Sequence, residues 1–310
     1  LYNGLKALLE DDSRVVILHA CAEDIEVLEY ALDIRLAKIF DTQIAAGIVN
    51  TGYSMGYARL LESLLGIQLD KQQTRSNWLA RPLSTAQLQY AEDDVTYLHQ
   101  IHELLSKKLD QFNRWSWLDA ETEAVVEMVA ARKDVEGYYQ KVKGAHRLSP
   151  NALAVLKRLC DWREVQAREL NRPRGHICKD PVLLDLAVNK PTNKAQLYSI
   201  EGLYARDISR YGEMLLAEIS AAAYDPEPPC LPQPLGRSGN LVIKELRVAL
   251  AEVALEQQIP AEYLISKKEL ESLLRSLEVG SVLWPERLAR GWRSVLVKPV
   301  IDHLLPNLSV

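Results

Sequence analysis

The 310-residue sequence has no hydrophobic run that approaches the ~20 residues needed to cross a bilayer. No signal-peptide pattern is visible either. We therefore predict a cytoplasmic protein that has no membrane partner. The four cysteines form no C-x-x-C pair and show no metal-ligand spacing, which argues against a zinc module and favours reduced, mainly structural thiols.

The front of the chain also lacks an excess of positive charge. Residues 1–144 carry 15 Lys and Arg against 22 Asp and Glu, so this part is more negative than the whole chain, whose formal net charge is −5. This balance argues against a broad, sequence-independent DNA-binding surface in this part of the chain. It suits a site for hard cations, which prefer carboxylate oxygens.

Two short β-branched or apolar segments predict strands in the front region. Val15-Val-Ile-Leu18 is expected to be a buried strand, and Lys38-Ile-Phe-Asp41 a second one. Asp24 would lie in the first turn of the helix that follows the first strand, near the carboxyl end where ligand sites of α/β sheets are common. A simpler interpretation is that Asp24 only complements the helix dipole.

The segment Tyr90-Ala-Glu-Asp-Asp94 lies in a predicted helix that begins at Ser84 or Thr85 and continues to about Leu109. At about 100° per residue, Asp94 falls at the edge of an apolar stripe, and Tyr90 is its i,i+4 neighbour. The stripe comprises Leu88, Ala91, Val95 and Leu98. A phenol beside one carboxylate could serve chemistry, or it could be a core-edge tyrosine beside a solvated acidic turn.

A long polar loop precedes this helix, between residues 69 and 83. It carries basic and aromatic side chains that could contact phosphates and stack on bases, namely Lys71, Arg75, Trp78 and Arg81. Loops of this length inside compact domains are usually either functional or disordered. The alternative is that Trp78 pins the loop to the core while the basic residues offset acidic neighbours.

The rest of the chain is predicted to be helical. A helical connector covers residues 119–144, and a compact all-helical domain follows at 145–224, with helix starts at Ser149-Pro150 and Asp180-Pro181. Five prolines in residues 226–234 indicate a stiff linker, placed at 225–239. A last helical unit covers 240–308.

If Asp24 and Asp94 converge, they could hold one or two hard divalent cations through their oxygens. Two such ions could support an in-line phosphoryl displacement. The Tyr90 phenol would better orient a metal-activated water than act alone as a strong base. Two carboxylates are too few for a two-metal site, so this hypothesis needs further acids.

Several segments together resemble the ribonuclease D family, the tyrosine-bearing branch of the DEDD 3′→5′ exonucleases. In the front region they are His19-Ala-Cys-Ala-Glu-Asp-Ile-Glu-Val-Leu28, Phe40-Asp-Thr-Gln-Ile44, Leu69-Asp-Lys71, Trp78-Leu-Ala-Arg-Pro-Leu83 and Tyr90-Ala-Glu-Asp-Asp-Val-Thr-Tyr-Leu98. Further on, the pattern around Arg163-Glu164 and Asn171-Arg-Pro-Arg174 resembles the HRDC module of RecQ-type helicases. The family implies an α+β, mainly helical chain: an RNase H-like exonuclease domain at 1–118 and two HRDC-type domains.

The resemblance also implies the chemistry. By this resemblance, Asp24 and Asp94 are expected to be metal-binding carboxylates, and Tyr90 is expected to be the water-orienting tyrosine. The expected metal is Mg²⁺ or Mn²⁺. The expected reaction is hydrolysis from RNA 3′ ends, with release of nucleoside 5′-monophosphates. The expected substrates are structured RNAs such as tRNA precursors, which the helical modules help to seat, and the family pattern implies a monomer.

One family motif, Asp-x-Glu on an early strand, is missing from the sequence. We therefore expect that the sequence is truncated before Leu1, lacks the early strands of the sheet, and is weakly active or inactive by itself, with a poorly folded front domain. Two alternatives stay open. One is a non-catalytic nucleic-acid-binding protein that uses the helical modules, and the other is a 3′→5′ exonuclease that acts on DNA, because the group that reads the 2′-OH cannot be identified.

Overall fold

The computed structural model describes residues 2–69, 73–74, 76–131, 137–278 and 282–305. It groups the chain into two compact units. The first unit combines Leu1–Ala131 with Leu235–Val310, and the second is Arg132–Pro234. The predicted boundaries at 118, 144, 224 and 239 remain predictions. Of the described helices, none has the length and apolar character to cross a bilayer.

The first unit contains a small parallel sheet of two strands, β1 (Val16–Leu18) and β2 (Ile39–Asp41). Ile17 lies opposite Phe40 in the register. The predicted first strand is present, but the prediction that it is buried was wrong, because all three residues of β1 are only half-buried and the preceding Val15 is 52% exposed. Phe40 and Asp41 of β2 are buried. Of the two strands, β2 is therefore the one that is more deeply buried in the unit.

Helices surround this sheet in the first segment of the unit. Their bounds are α1 (Tyr2–Leu9), α2 (Ala22–Leu32), α3 (Thr42–Ile48), α4 (Tyr57–Leu65), α5 (Thr85–Thr96), α6 (Leu98–Phe112) and α7 (Trp115–Ala131). The core between them is apolar and includes Phe40, Ile48, Leu60, Leu61, Ile101, Leu105 and Leu109. Its burial supplies the main driving force for this part of the fold.

Local capping signals explain where several of these helices begin and end. Ser84 caps α5, and the Ser84 and Gln87 side chains satisfy each other's backbone N–H groups in a capping box. Gly66 ends α4 with a positive φ of 71°. From the sequence, Ser54 could also cap the helix that carries Leu60, Leu61, Leu64 and Leu65, but in the structure Gly56 holds the N-cap position of α4. The predicted single helix to Leu109 is interrupted at Tyr97, where α5 gives way to α6.

The second unit is an all-helical domain, as predicted. Its helices are α8 (Pro150–Glu169), α9 (Arg174–Ile177), α10 (Asp180–Asn189), α11 (Lys194–Leu197) and α12 (Ala205–Ala221), with single 3₁₀ turns at Tyr138–Lys141, Ala145–Arg147 and Ala222–Tyr224. Ser149 caps α8, and Pro150 occupies its first turn, as the sequence predicted. The core of this unit packs α8 against α10 and α12.

The final helices belong to the first unit. They are α13 (Arg237–Glu256), α14 (Ala261–Leu264), α15 (Lys267–Glu278), α16 (Glu286–Ala289) and α17 (Gly291–Leu304). This C-terminal helical module contacts α7 through two stacked indoles, Trp117 and Trp292, whose ring centroids lie 4.0 Å apart. It also contacts α3, because the Tyr263 hydroxyl donates a hydrogen bond to the carbonyl oxygen of Ile44 at 3.1 Å.

Candidate active site

Asp41, at the end of β2, is a buried carboxylate that accepts hydrogen bonds from four backbone N–H groups. The donors are Ala20 at 3.1 Å, Cys21 at 2.7 Å, Gln43 at 2.7 Å and Ile44 at 3.2 Å. Two of these donors begin α3, and the other two belong to the turn between β1 and α2. One side chain therefore fixes the entry to α2, the helix that carries Asp24.

We predict that Asp41→Ala lowers the free energy of unfolding by about 3 kcal/mol, because buried N–H groups without an acceptor cost about 1–3 kcal/mol. Asp41→Asn keeps one acceptor oxygen and should lose less. Urea unfolding measures both values. Asp12→Ala, which removes an exposed carboxylate of the same segment, is the control and should change the value by less than about 0.5 kcal/mol. A similar small change for Asp41→Ala would contradict the assigned role.

Asp24 lies in the first turn of α2, near the carboxyl end of β1, as the sequence predicted. Asp24 is an exposed residue. Partial desolvation raises the pKa of the Asp24 carboxyl above its ordinary value, and the negative charges of Glu23 and Asp41 raise it further. This carboxylate is thus surrounded by other acids and would gain from a nearby cation.

Tyr90 and Asp94 line one cleft of 250 Å³, together with the first turn of α4 and the loop before α5. The lining residues are Gly56, Tyr57, Ala58, Arg59, Leu69, Thr74, Tyr90 and Asp94. The Tyr90 and Thr74 hydroxyl oxygens lie 3.4 Å apart. The i,i+4 spacing read from the sequence therefore places the phenol and the carboxylate on the same open surface.

In this cleft, the ionised forms of two acidic side chains, Asp94 and Tyr57, are disfavoured. Desolvation raises the pKa of the Asp94 carboxyl above its ordinary value, and the adjacent charge of Asp93 adds to the effect. Desolvation also raises the pKa of the Tyr57 phenol, with a contribution from Asp94. A cation bound beside Asp94 would stabilise its ionised form.

Tyr57 connects the two walls of the cleft. Its hydroxyl donates a hydrogen bond to the backbone carbonyl of Asp93 at 3.2 Å, which joins the first turn of α4 to α5. Its ring packs edge-on against His19, with centroids 5.5 Å apart. The ring nitrogens of His19 contact the Thr42 hydroxyl at 2.9 Å and the Met55 carbonyl oxygen at 3.0 Å. The position of α5 is therefore coupled to the β1–α2 turn.

The apolar stripe of α5 differs from the prediction. Leu88 and Val95 are 56% and 60% exposed, whereas Leu98, which already belongs to α6, is buried. The prediction that the apolar stripe of this helix faces the core was therefore wrong for Leu88 and Val95. The buried residue of α5 is instead Gln87, whose amide group donates to the Ser76 hydroxyl at 3.0 Å and to the Asn77 carbonyl at 3.2 Å.

The loop before α5 packs against the cleft through Trp78. This half-buried indole lies 5.8 Å from the Tyr90 ring, centroid to centroid, and its N–H donates to the Gln73 carbonyl at 3.2 Å. Arg81 is exposed, and its guanidinium donates to the Trp78 carbonyl at 2.9 Å. Lys71 and Arg75 lie outside the described residues. Trp78 therefore has an anchoring contact, whereas Arg81 keeps an exposed cationic group.

Asp24 is not among the residues that line the cleft with Tyr90 and Asp94. Within the described ranges, no cluster of three or more His, Cys, Asp or Glu side chains could hold a metal ion. The residues that the sequence predicted as metal ligands are suitable in type, since Mg²⁺ and Mn²⁺ prefer carboxylate oxygens. They do not make a complete site by themselves, so we derive no reaction step through a metal ion.

Comparisons with known proteins identify two families in the chain. A 3′-5′ exonuclease family matches residues 1–110, and the HRDC domain family matches residues 152–219. Ribonuclease D of Pseudomonas paraeruginosa is 39% identical over 92% of this chain and 77% of that protein. The chain belongs to the ribonuclease D family. Its members are 3′→5′ exoribonucleases, and membership confirms the enzyme class that the sequence predicted.

Solved structures show that the fold of this ribonuclease D family member is similar to that of a known ribonuclease D. The crystal structure of Escherichia coli RNase D, described as an exoribonuclease involved in structured RNA processing, matches with a TM-score of 0.82 and 29% identity. The match covers 100% of this chain and 84% of that one. The catalytic core of Trypanosoma brucei RRP6 matches at a TM-score of 0.51 and 19% identity, which shows a shared fold alone. The α+β, mainly helical fold with an HRDC domain is thus confirmed.

Sequence reasoning missed two features of the site. The sequence pattern offers Asp41, or alternatively Thr42, as the cap of α3, but it does not show that the Asp41 carboxylate also binds the turn before α2. Tyr57 was not singled out, because its contact with α5 spans 36 residues and leaves no periodic signal. A buried-strand end followed by Asp could have indicated the first feature, whereas the second required the tertiary structure.

Proposed function

We propose that this ribonuclease D family member shortens structured RNAs, such as tRNA precursors, from their 3′ ends and releases nucleoside 5′-monophosphates. The observation that carries the proposal is the cleft shared by Tyr90 and Asp94, in a chain whose front segment matches a 3′-5′ exonuclease family. The likeness to an exoribonuclease described as processing structured RNA supports this substrate class.

The proposed roles follow from the side chains. Tyr90 orients the attacking water through its phenol, which can donate and accept hydrogen bonds. Asp94 and Asp24 supply carboxylate oxygens for divalent cations, and those ions would supply charge neutralisation at the scissile phosphate. Trp78 and Arg81, with Lys71 and Arg75, contact the RNA strand, and the HRDC domain helps to seat the folded part of the RNA.

Removal of divalent metal tests the cofactor proposal, because members of this exonuclease family are metal-dependent. We expect EDTA to abolish release of mononucleotides from RNA by the full-length protein, and we expect Mg²⁺ or Mn²⁺ to restore it. Retention of full activity in EDTA would contradict the proposal. Separate titrations with the two ions determine which one supports the higher rate.

Matched oligomers of RNA and DNA test the substrate class. We expect faster release from RNA than from DNA of the same sequence, which requires that the enzyme contact the 2′-OH. Equal or faster release from DNA would overturn the assignment to RNA. We expect the protein to act as a monomer, which sedimentation would test.

A further inference from the structure

Arg59 provides a positive charge on the wall of the cleft that holds Tyr90 and Asp94. It is the third residue of α4, and it is exposed. Among the described residues that line the cleft, it is the sole cation. No hydrogen bond or ion pair joins its guanidinium to another described residue. The charge is therefore available to a ligand in the cleft.

The surroundings of Arg59 make this charge unusual. Its domain is acidic, and two carboxylates, Asp93 and Asp94, lie on the facing helix α5. Some arginines of the first unit are paired with acids, as in the pair of Arg14 with Asp11 at 2.9 Å and the pair of Arg290 with Glu286 at 3.9 Å. An unpaired arginine on an acidic cleft would reduce the repulsion of a polyanion that approaches Asp94.

The helix turn that carries Arg59 is held in place by the neighbouring Tyr57. The hydrogen bond from the Tyr57 hydroxyl to the Asp93 carbonyl holds the first turn of α4 beside α5. This turn is also the positive end of the helix dipole, which adds to the attraction for an anion. Arginine is suited to phosphate because its planar guanidinium can donate two parallel hydrogen bonds.

We infer that Arg59 binds a backbone phosphate of the RNA strand close to its 3′ end and so positions that end beside Tyr90 and Asp94. The inference rests on the proposed function, because it assumes that this cleft admits an RNA 3′ end. Arg59 acts here as a binding and positioning residue and takes no part in bond cleavage. Its contribution should therefore depend on the charge of the RNA backbone.

The test measures binding of a short, fluorescein-labelled single-stranded RNA to the full-length protein in EDTA, over a range of salt concentrations. We expect Arg59→Ala to weaken binding about three- to tenfold and to reduce the slope of log K against log salt by about 0.7, the value for one phosphate contact on a single strand. Arg59→Lys should recover most of the slope. An unchanged slope and affinity in Arg59→Ala would overturn the inference.

A matched control variant tests the specificity of the effect, and a double-mutant cycle that combines Arg59→Ala with changes in the RNA locates the contacted phosphate. Arg14→Ala removes an exposed, paired arginine of the same unit and should leave binding unchanged. RNAs that carry a single uncharged methylphosphonate linkage at successive positions from the 3′ end are then compared. At the contacted phosphate, the neutral linkage should weaken binding to the wild type but not to Arg59→Ala. Equal losses in both proteins at every position would contradict a contact with Arg59.

Turnover in Mg²⁺ distinguishes the failure of this inference from the failure of the proposed function. If Arg59 positions the strand, Arg59→Ala should lose efficiency mainly through a higher KM. A wild type that degrades RNA, with an Arg59→Ala variant that has unchanged KM and salt slope, refutes the inference alone. A wild type that binds RNA through Arg59 but never releases nucleotides refutes the proposed function alone.

Discussion

Asp94→Asn is expected to reduce kcat/KM for release of 3′-terminal nucleotides at least about 100-fold, because one charged group that acts on the transition state commonly contributes that much. Asparagine has nearly the same shape as aspartate, but it lacks the negative charge that would attract a cation. The measurement is mononucleotide release by the full-length protein under Mg²⁺. Activity within about threefold of wild type would refute the role of Asp94.

Thermal unfolding shows whether such a loss reflects chemistry or misfolding. The pKa of Asp94 is raised in the folded protein by desolvation and by Asp93. The folded state therefore favours the protonated acid, and the ionised form costs stability once the pH rises through the folded-state pKa. Asparagine removes this cost, so the melting temperature of Asp94→Asn at pH 7 should equal or exceed that of wild type.

The neighbouring carboxylate of Asp93 provides the matched control. Asp93 accepts a hydrogen bond from the Gln89 side chain at 3.0 Å and is not among the residues that line the cleft. Asp93→Asn should retain most of the activity under the same conditions. An equal loss of activity in both variants would mean that the total negative charge of α5, rather than the position of Asp94, controls turnover.

Arg293→Ala is expected to lower the free energy of unfolding by about 3–5 kcal/mol, because it leaves a carboxylate buried without its main partner. Arg293 is 3% exposed and Glu121 is 8% exposed. The Arg293 guanidinium donates to Glu121 at 2.6 Å and, through Nε, to the Tyr263 carbonyl at 2.6 Å. Burial lowers the pKa of the guanidinium, so Glu121 is needed to stabilise its charge.

Within the first unit, this pair joins the C-terminal helical module to α7, the helix that carries Glu121. The same carboxylate also accepts hydrogen bonds from the Trp292 indole at 3.2 Å and from Arg287 at 3.3 Å. A second contact comes from Arg114, whose guanidinium donates to the Ile48 carbonyl at 2.7 Å and to the carbonyl of Gln257. Loss of the pair should therefore destabilise the docking of the module.

Urea unfolding followed by tryptophan fluorescence measures the effect of Arg293→Ala. The double variant Glu121→Gln with Arg293→Met removes both charges and should recover much of the loss, because the unpaired charge causes most of it. Arg290→Ala, at an exposed pair with Glu286, should change the value by no more than about 1 kcal/mol. A loss of similar size in Arg290→Ala and Arg293→Ala would contradict a special role for the buried pair.

Local features of the fold could be predicted from the sequence, since their signals lie within a few residues. The starts of α8 and α10 follow from Ser149-Pro150 and Asp180-Pro181, and the start of α5 follows from Ser84 with Gln87 three residues later. The sequence suggests Ser54 as the N-cap of α4, but Gly56, two residues later, has the extended backbone that the N-cap position requires. Ser54 itself adopts a positive φ of 49°, a conformation that is unsuitable for an N-cap.

Contacts between distant segments could not be predicted in the same way. The Glu121–Arg293 hydrogen bonds span 172 residues, and no periodicity or spacing relates the two positions. The exposure of Leu88 and Val95 has a similar cause. Helical periodicity defines an apolar face, but it does not show which element covers that face.

The candidate site was predicted in part. The i,i+4 spacing correctly placed Tyr90 and Asp94 on one surface, which the structure shows as a cleft. The convergence of Asp24 with Asp94 remains a prediction. The pairing of Tyr57 with the Asp93 carbonyl, and the position of Arg59 beside it, depend on how α4 packs on α5, and this packing is not encoded in any short motif.

The polarity and products of RNA degradation test the central claim most directly. An RNA labelled at either end is incubated with the full-length protein and Mg²⁺, and the products are separated by length and by chemical form. We predict immediate release of a 3′ label as a nucleoside 5′-monophosphate and stepwise shortening of the 5′-labelled strand. Release of a 5′ label first, internal fragments, or nucleoside 3′-monophosphates would contradict a 3′→5′ exoribonuclease that acts through Tyr90 and Asp94.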